Sequence, residues 1–415
     1  MLQNSVDAKK KRFVQRVPML IKGAKVVRES GVEEVDIRIE DGKITEIGKN
    51  LKNGKIYDAQ GSYIMPALVD IGVRVFDGKL RGGTLEKLAK SAYVNGFGTV
   101  VLSSLCMPRI DNEITLEFAK SQAELCADAQ ILPLLSGVTL EGKLADCSIL
   151  LKEGAVGIEF ESHIDGNLIR RLMEYSRMHG VKLFCHANDP SLQGDGVMHE
   201  GEISSHLGLS GIPPLSESSQ VARIGEFAKA YGVETIIMGA STSETLKICR
   251  ENPFLKAQVS IHHLLLNDEA CDNYDTAGKV CPPLRDESER LKLLDALKNG
   301  EIAMLTSLHS PVSKTAKDAV FAEAAYGIEG ISCFLPLLYT HLIRSGTIDL
   351  PYLVRLTASL PAESAGLGHR KGKIEVGYDA DLVRFDPETK IRYPGSRSPY
   401  AGTALFGHVE KIVFL

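Results

Sequence analysis

An α/β chain folded as a distorted TIM (β/α)8 barrel, with a small composite β-sandwich made from its N- and C-terminal segments, is what this sequence predicts. Three observations carry the prediction. Both ends of the chain hold short alternating apolar segments separated by Gly, Asp and Asn turns, the texture of half-buried strands. The middle repeatedly places a helix-like stretch before a short apolar run, the texture of a parallel sheet wrapped by helices. That middle is also long enough to hold eight such units.

Taken in order, residues 1–18 contain the basic run KKKR, lack the apolar core of a secretion signal and include Asp7. They read as a solvated arm. MLIKGAKVV, VDIRIEDGKITEIG and KIYDAQGSYIM follow as hairpin strands, which assigns 19–66 to the β-domain. From 67 to 364 the units alternate: TLEKLAKSAYVNG precedes FGTVVLSSL, NLIRRLMEYSRMHG precedes VKLFCHA, and SESSQVARIGEFAKAYG precedes VETIIMGAS. The exit segments KGKIEVGYDADLVRFDP, KIRYPG and ALFGHVEKIVFL are strand-like again, so 365–415 completes the β-domain. In such a barrel, chemistry belongs at the C-terminal ends of the strands.

Bulk composition narrows the function. A net charge of −5 leaves no basic footprint for nucleic acid, and no apolar stretch is long enough to span a membrane. Eight cysteines are scattered without a CxxC pair, which suggests neither a structural zinc nor a disulfide framework and fits reduced thiols in the cytoplasm. No phosphate-binding loop with its lysine is present.

The motifs are more specific. DGKITEIG followed by DAQGSYIMPALVDI, then GVMHEGEISSHLGLSGIPPLSE, HHLLLNDE, KVCPPLR, and the exit GKIEVGYDADLVRFDP with SRSPYAGTALFGHV resemble the dihydroorotase branch of the amidohydrolase superfamily. The resemblance runs through nearly the whole chain after the arm. It implies a metal-bearing barrel in which a metal-bound hydroxide opens or closes the ring of dihydroorotate. Hydantoinases and allantoinases share much of this frame, and the LGLSGIP block tilts the likeness toward dihydroorotase.

What the resemblance implies about metal can be checked residue by residue. The family's first strand ends in Asp-x-His-x-His, whose period of two points both imidazoles the same way. Here Asp70 is kept, but Gly72 and Arg74 stand at the histidine positions. The family's next ligand, a carboxylate or carboxylated lysine, aligns with Phe160, flanked by Glu159 and Glu161. His186 keeps the following ligand position, with Asn188 where an acidic residue is usual. Gly239 replaces the next histidine, and Leu308 replaces the aspartate that serves as ligand and base, just before His309. Substrate contacts change in parallel: Phe76, Leu105 and Val312 stand where the family has arginine, asparagine and histidine, and Cys281 where asparagine is usual. Arg74 or Arg109 could supply a displaced charge, although a solvated or partner-facing role is the simpler reading.

These readings lead to expectations. One imidazole cannot hold a catalytic zinc, and with Leu308 the proton shuttle is gone, so no cofactor, catalytic residue or substrate contact is expected. Phe76, Leu105, Phe160 and Leu308 are expected to fill the barrel mouth. His262 and His263, adjacent on a strand, would face opposite ways and make a poor metal pair, and Cys185 reads as a buried structural thiol rather than a nucleophile. Some dihydroorotase-like chains of this disabled kind serve as structural partners of aspartate carbamoyltransferase, and the resemblance implies the same for this chain, as part of an oligomer. Two alternatives stay open. One is an active zinc-dependent cyclic amidohydrolase with a site rebuilt from His186, His309, Glu161 and Asp189. The other is a regulatory pseudoenzyme using the old pocket for a small molecule.

Overall fold

In the computed structural model of the protein, residues 18–126, 128–394 and 397–411 are described, so the basic arm lies outside the described residues except for its last position. Two β-sheets form the β-domain. One has four strands, Lys43–Gly48, Asp36–Glu40, Met19–Lys22 and Lys55–Asp58 in spatial order. The other has five, Ala404–Lys411, Leu382–Arg392, Tyr63–Pro66, Lys25–Arg28 and Gly31–Glu34. The N- and C-terminal segments therefore share one sheet, through antiparallel pairing of Leu382–Phe385 with Tyr63–Pro66. Ile21, Val26, Ile37, Ile39, Ile44, Ile64 and Leu382 are buried together between the sheets, as period-two alternation requires.

Eight parallel barrel strands follow: Leu68–Val73, Phe97–Leu102, Gln130–Pro133 continued by Leu135–Ser136, Ile158–Glu161, Leu183–His186, Thr235–Ile237, Leu255–Ser260 and Met304–Thr306. Each pairs with the next in chain order. The distortion lies at two seams. The third strand changes neighbours at Leu134, whose N–H still reaches the Leu102 carbonyl while Leu135 N–H turns to Gly157. Between the eighth strand and the first, side chains do much of the joining. Asp70 is buried and accepts hydrogen bonds from the Thr306 hydroxyl at 2.7 Å and from the Ser307 N–H and hydroxyl, and Arg74 N–H donates to the His309 carbonyl at 2.9 Å.

Val69, Ile71, Val101, Leu134, Phe184, Ile236, Met238 and Met304 pack together inside the barrel. The opposite faces of the strands meet the helices in the main core. The helix Gly166–His179 illustrates the local logic: Asp165 caps its N-terminus by accepting from Asn167 N–H, Ile169, Leu172 and Met173 are buried, and Gly180 ends it in the left-handed region.

Candidate functional site

At the C-terminal mouth of the barrel the strand ends enclose a cavity of about 200 Å3, lined among others by Gly72, Arg74, Leu105, Glu161, His186 and Leu308. Gly72 lies beside a register slip between Ile71 and Val73 and has φ +86°. A Cβ at that position would overlap the Met238 terminal methyl, so Met238 occupies the space an imidazole at 72 would need. Gly239 also has a positive φ, +67°, and a Cβ there would meet Pro282 and Leu308 at 3.2 and 3.7 Å. Leu308 itself sits in the left-handed region at φ +48°, a conformation that costs a non-glycine residue about 1–2 kcal/mol.

Several expectations need correction. Phe160 is buried in the shell between strands and helices, not at the mouth, because alternation turns Glu159 and Glu161 inward instead. Phe76 is 43% exposed and, like Val312, does not line the cavity. Only Leu105 and Leu308 of the four expected plugs reach it, so the mouth stays open. Of the rebuilt set, His186, Glu161 and His309 line the cavity, but Asp189 does not. It caps the short helix Pro190–Gln193 and accepts from Gln220 Nε2. His262 and His263 lie on a short helix, Ile261–Leu265, rather than a strand. Cys185 is a fully buried thiol whose pKa burial raises well above normal.

The inward carboxylate is the feature the sequence reading missed. Glu159 is completely buried and accepts from His186 Nε2 at 2.7 Å, the Ser103 hydroxyl at 2.8 Å, the Ser104 hydroxyl at 2.7 Å and the Ser104 N–H. Burial alone would raise its pKa, but the His186 charge and these hydrogen bonds outweigh it and hold the carboxyl down to about 2. His186 is therefore tied to a protein anion. Glu161 faces Arg109 at 3.6 Å, and His309 Nδ1 lies 3.3 Å from Glu329.

The motif blocks that carry the resemblance build the walls. Glu217 of the LGLSGIPPLSE block accepts from Ser241 and Thr242 N–H and pairs with Arg285 of KVCPPLR, both side chains being buried. Lys279 is buried and pairs with no carboxylate among the described residues. Its ammonium donates to the Phe321 and Ala322 carbonyls at 2.6 and 3.0 Å and stands 4.6 Å over the Tyr326 ring. Lys317 donates to the Thr276 and Lys279 carbonyls, and burial pushes its pKa down to about 8. Together they fasten the loop after the eighth strand against the loop that carries Cys281. Cys281, His163, Gln258 and Tyr326 also line the cavity; sequence reading had not placed His163, Gln258 or Tyr326 there.

A catalytic zinc asks for three converging protein donors and an open position. Among the described residues no group of three or more His, Cys, Asp or Glu is so placed, and His186, Glu161 and His309 at the mouth already face Glu159, Arg109 and Glu329. These residues do not fit such a metal.

The barrel, the appended sandwich and the site at the strand ends together define the class: a model described as the Amidohydrolase family matches residues 63–414, and this chain belongs to that family. Its relatives include the dihydroorotase of Thermoanaerobacter sp. (strain X514), 32% identical over 413 residues that cover 94% of this chain and 95% of that protein. The dihydroorotase of Clostridioides difficile (strain 630) is likewise 32% identical, over 94% of this chain and 97% of its own. Among solved structures, the L-hydantoinase (dihydropyrimidinase) from Arthrobacter aurescens matches with a TM-score of 0.84 at 20% identity, over 95% of each chain, a likeness of fold. No helix among the described residues is long and apolar enough to cross a membrane.

Proposed function

We propose that this chain is a dihydroorotase-like protein of pyrimidine biosynthesis whose own barrel does not carry out the hydrolysis, and that it serves as a structural partner of aspartate carbamoyltransferase. One observation carries the non-catalytic part. The positions that would hold metal bear Gly72, Arg74, Gly239 and Leu308, and Met238 fills the space beside Gly72. Leu308 stands in place of the carboxylate that would take the proton of an attacking water, and the neighbouring His309 is drawn to Glu329 at 3.3 Å. The partner comes from the sequence resemblance alone.

A second reading has its own support. The relatives over 94% of the chain are dihydroorotases, which favours an active zinc-dependent amidohydrolase more directly than a silent one, and His186, Glu161 and His309 still share the cavity. One preparation separates the two. The first reading expects only trace zinc in the purified protein and no turnover of dihydroorotate with added zinc; stoichiometric zinc that is lost in His186→Ala, together with metal-dependent turnover, would establish the second.

A further inference from the structure

We infer that the barrel-mouth cavity binds a small organic monocarboxylate through the Arg74 guanidinium, a proposal that rests on the reading that no catalytic metal sits there. Arg74 is half-buried and lines the cavity. Its side chain makes no hydrogen bond or ion pair with a described residue, and its nitrogens are not sealed from solvent. Every carboxylate around it is engaged elsewhere: Glu159 with His186 and two serines, Glu161 with Arg109, Glu329 with His309, and Asp70 with Thr306 and Ser307. Arg74 is thus a cation in a concave site that the described protein does not answer, and such a charge favours an anion from solution.

The chemistry of that anion follows from the surroundings. A planar guanidinium fork matches a carboxylate through two parallel hydrogen bonds. Leu105, Met238, Leu308 and Ile328 make much of the remaining wall, which suits a carbon body better than phosphate or sulfate. Arg74 offers one positive charge that no described carboxylate answers, and Glu161 beside it is already answered by Arg109, so the ligand carries a single negative charge. Since an apolar cavity of roughly 150 Å3 accepts benzene, a cavity of about 200 Å3 has room for an acid up to ring size. The site is therefore inverted in charge: where a metal would present a cation to a water, this mouth presents a fixed cation to an acid.

The test uses the full-length protein with sodium acetate, isobutyrate and benzoate, their neutral amides, and chloride and phosphate at matched ionic strength. Melting temperature is one readout. The other is alkylation of Cys281 by iodoacetamide followed by mass spectrometry, since Cys281 is an exposed thiol lining the cavity whereas six of the other cysteines are buried. At least one carboxylate is expected to bind with a dissociation constant of about 1 mM or tighter, raise the melting temperature and slow Cys281 alkylation several-fold, while its amide does neither. Arg74→Gln is expected to weaken binding roughly tenfold to a hundredfold, with Arg177→Gln, at an exposed arginine of the helix Gly166–His179 outside the cavity, close to wild type. The proposal is overturned if none of the three acids acts, if Arg74→Gln binds equally well, or if chloride or phosphate protects Cys281 as strongly. Zinc-dependent turnover would instead defeat the reading it rests on, so the two failures are distinguishable.

Discussion

Glycine at position 72 does more than remove an imidazole, because its positive φ and the Met238 methyl beside it shape the strand end. Gly72→His is therefore expected to cost about 2–4 kcal/mol, from the disfavoured backbone and the overpacking together. Denaturant melts of Gly72→His and of Gly72→His with Met238→Ala should show the second substitution returning part of the loss. Glu159 gives a complementary prediction. Replacing it by Leu leaves the Ser104 N–H, two hydroxyls and His186 without their acceptor in a buried place, an expected loss of about 3 kcal/mol or more, with Glu159→Gln retaining part of the stability. The exchanges at 72, 74, 239 and 308 were legible because each replaces a chemical type the motif demands. The inward turn of Glu159 was not, since both faces of a barrel strand are buried and alternation alone does not say which parity points in.

At the scale of elements, the strand and helix units were readable from their periods, whereas the breaks were not. The split of the third strand at Leu134 was signalled only by Pro133 in ILPLLS, which has no N–H to give the ladder. The His262–His263 pair was placed on a strand, yet Ser260, two residues before His262, is an N-cap that accepts from His263 N–H, a signal of helix onset that could have been used. That short helix carries a pH prediction. His262 Nε2 donates to the Ser307 carbonyl at 2.9 Å and His263 Nε2 to the Pro282 carbonyl at 3.1 Å. Burial lowers their pKa values from 6.5 to about 3 and about 4. Both are buried neutral, so only the unfolded chain takes up their protons as pH falls below 6.5. Their stability contribution is full above that value and is lost as pH drops toward 4, by about 1.4 kcal/mol per pH unit for each proton. Urea midpoints measured from pH 7 to pH 4 should fall, and His262→Gln should flatten the slope.

For the whole molecule, the two-part architecture was the most legible feature, because strand texture at both termini has few ways to be satisfied except in a shared sheet. The join between the parts was not visible in advance. Asp381, just before the C-terminal strand Leu382–Arg392, pairs with Lys371 at 2.8 Å and with Lys411, and Lys371 also reaches Thr99 of the second barrel strand. Burial would raise the Asp381 pKa, but the two lysines outweigh it and hold it down to about 2. Asp381→Ala strands two largely buried ammonium groups, so a loss of about 3 kcal/mol is expected, read as a lowered melting temperature. At the level of assembly, the proposal expects aspartate carbamoyltransferase to co-purify with this chain and to assemble less completely without it. Size-exclusion profiles unchanged by removal of the chain would count against that partnership.

The interlock of Gly72 and Met238 also bears on history. A lineage that lost the histidine at 72 and then let Met238 occupy the vacancy cannot regain the ligand by reversing one codon. The first step back destabilises the fold before any chemistry returns, and smaller residues at 238 bring no benefit until a histidine arrives to use the room. Such order-dependent fitness makes the change a ratchet, and comparison of descendants should find a bulky residue at 238 wherever 72 is glycine.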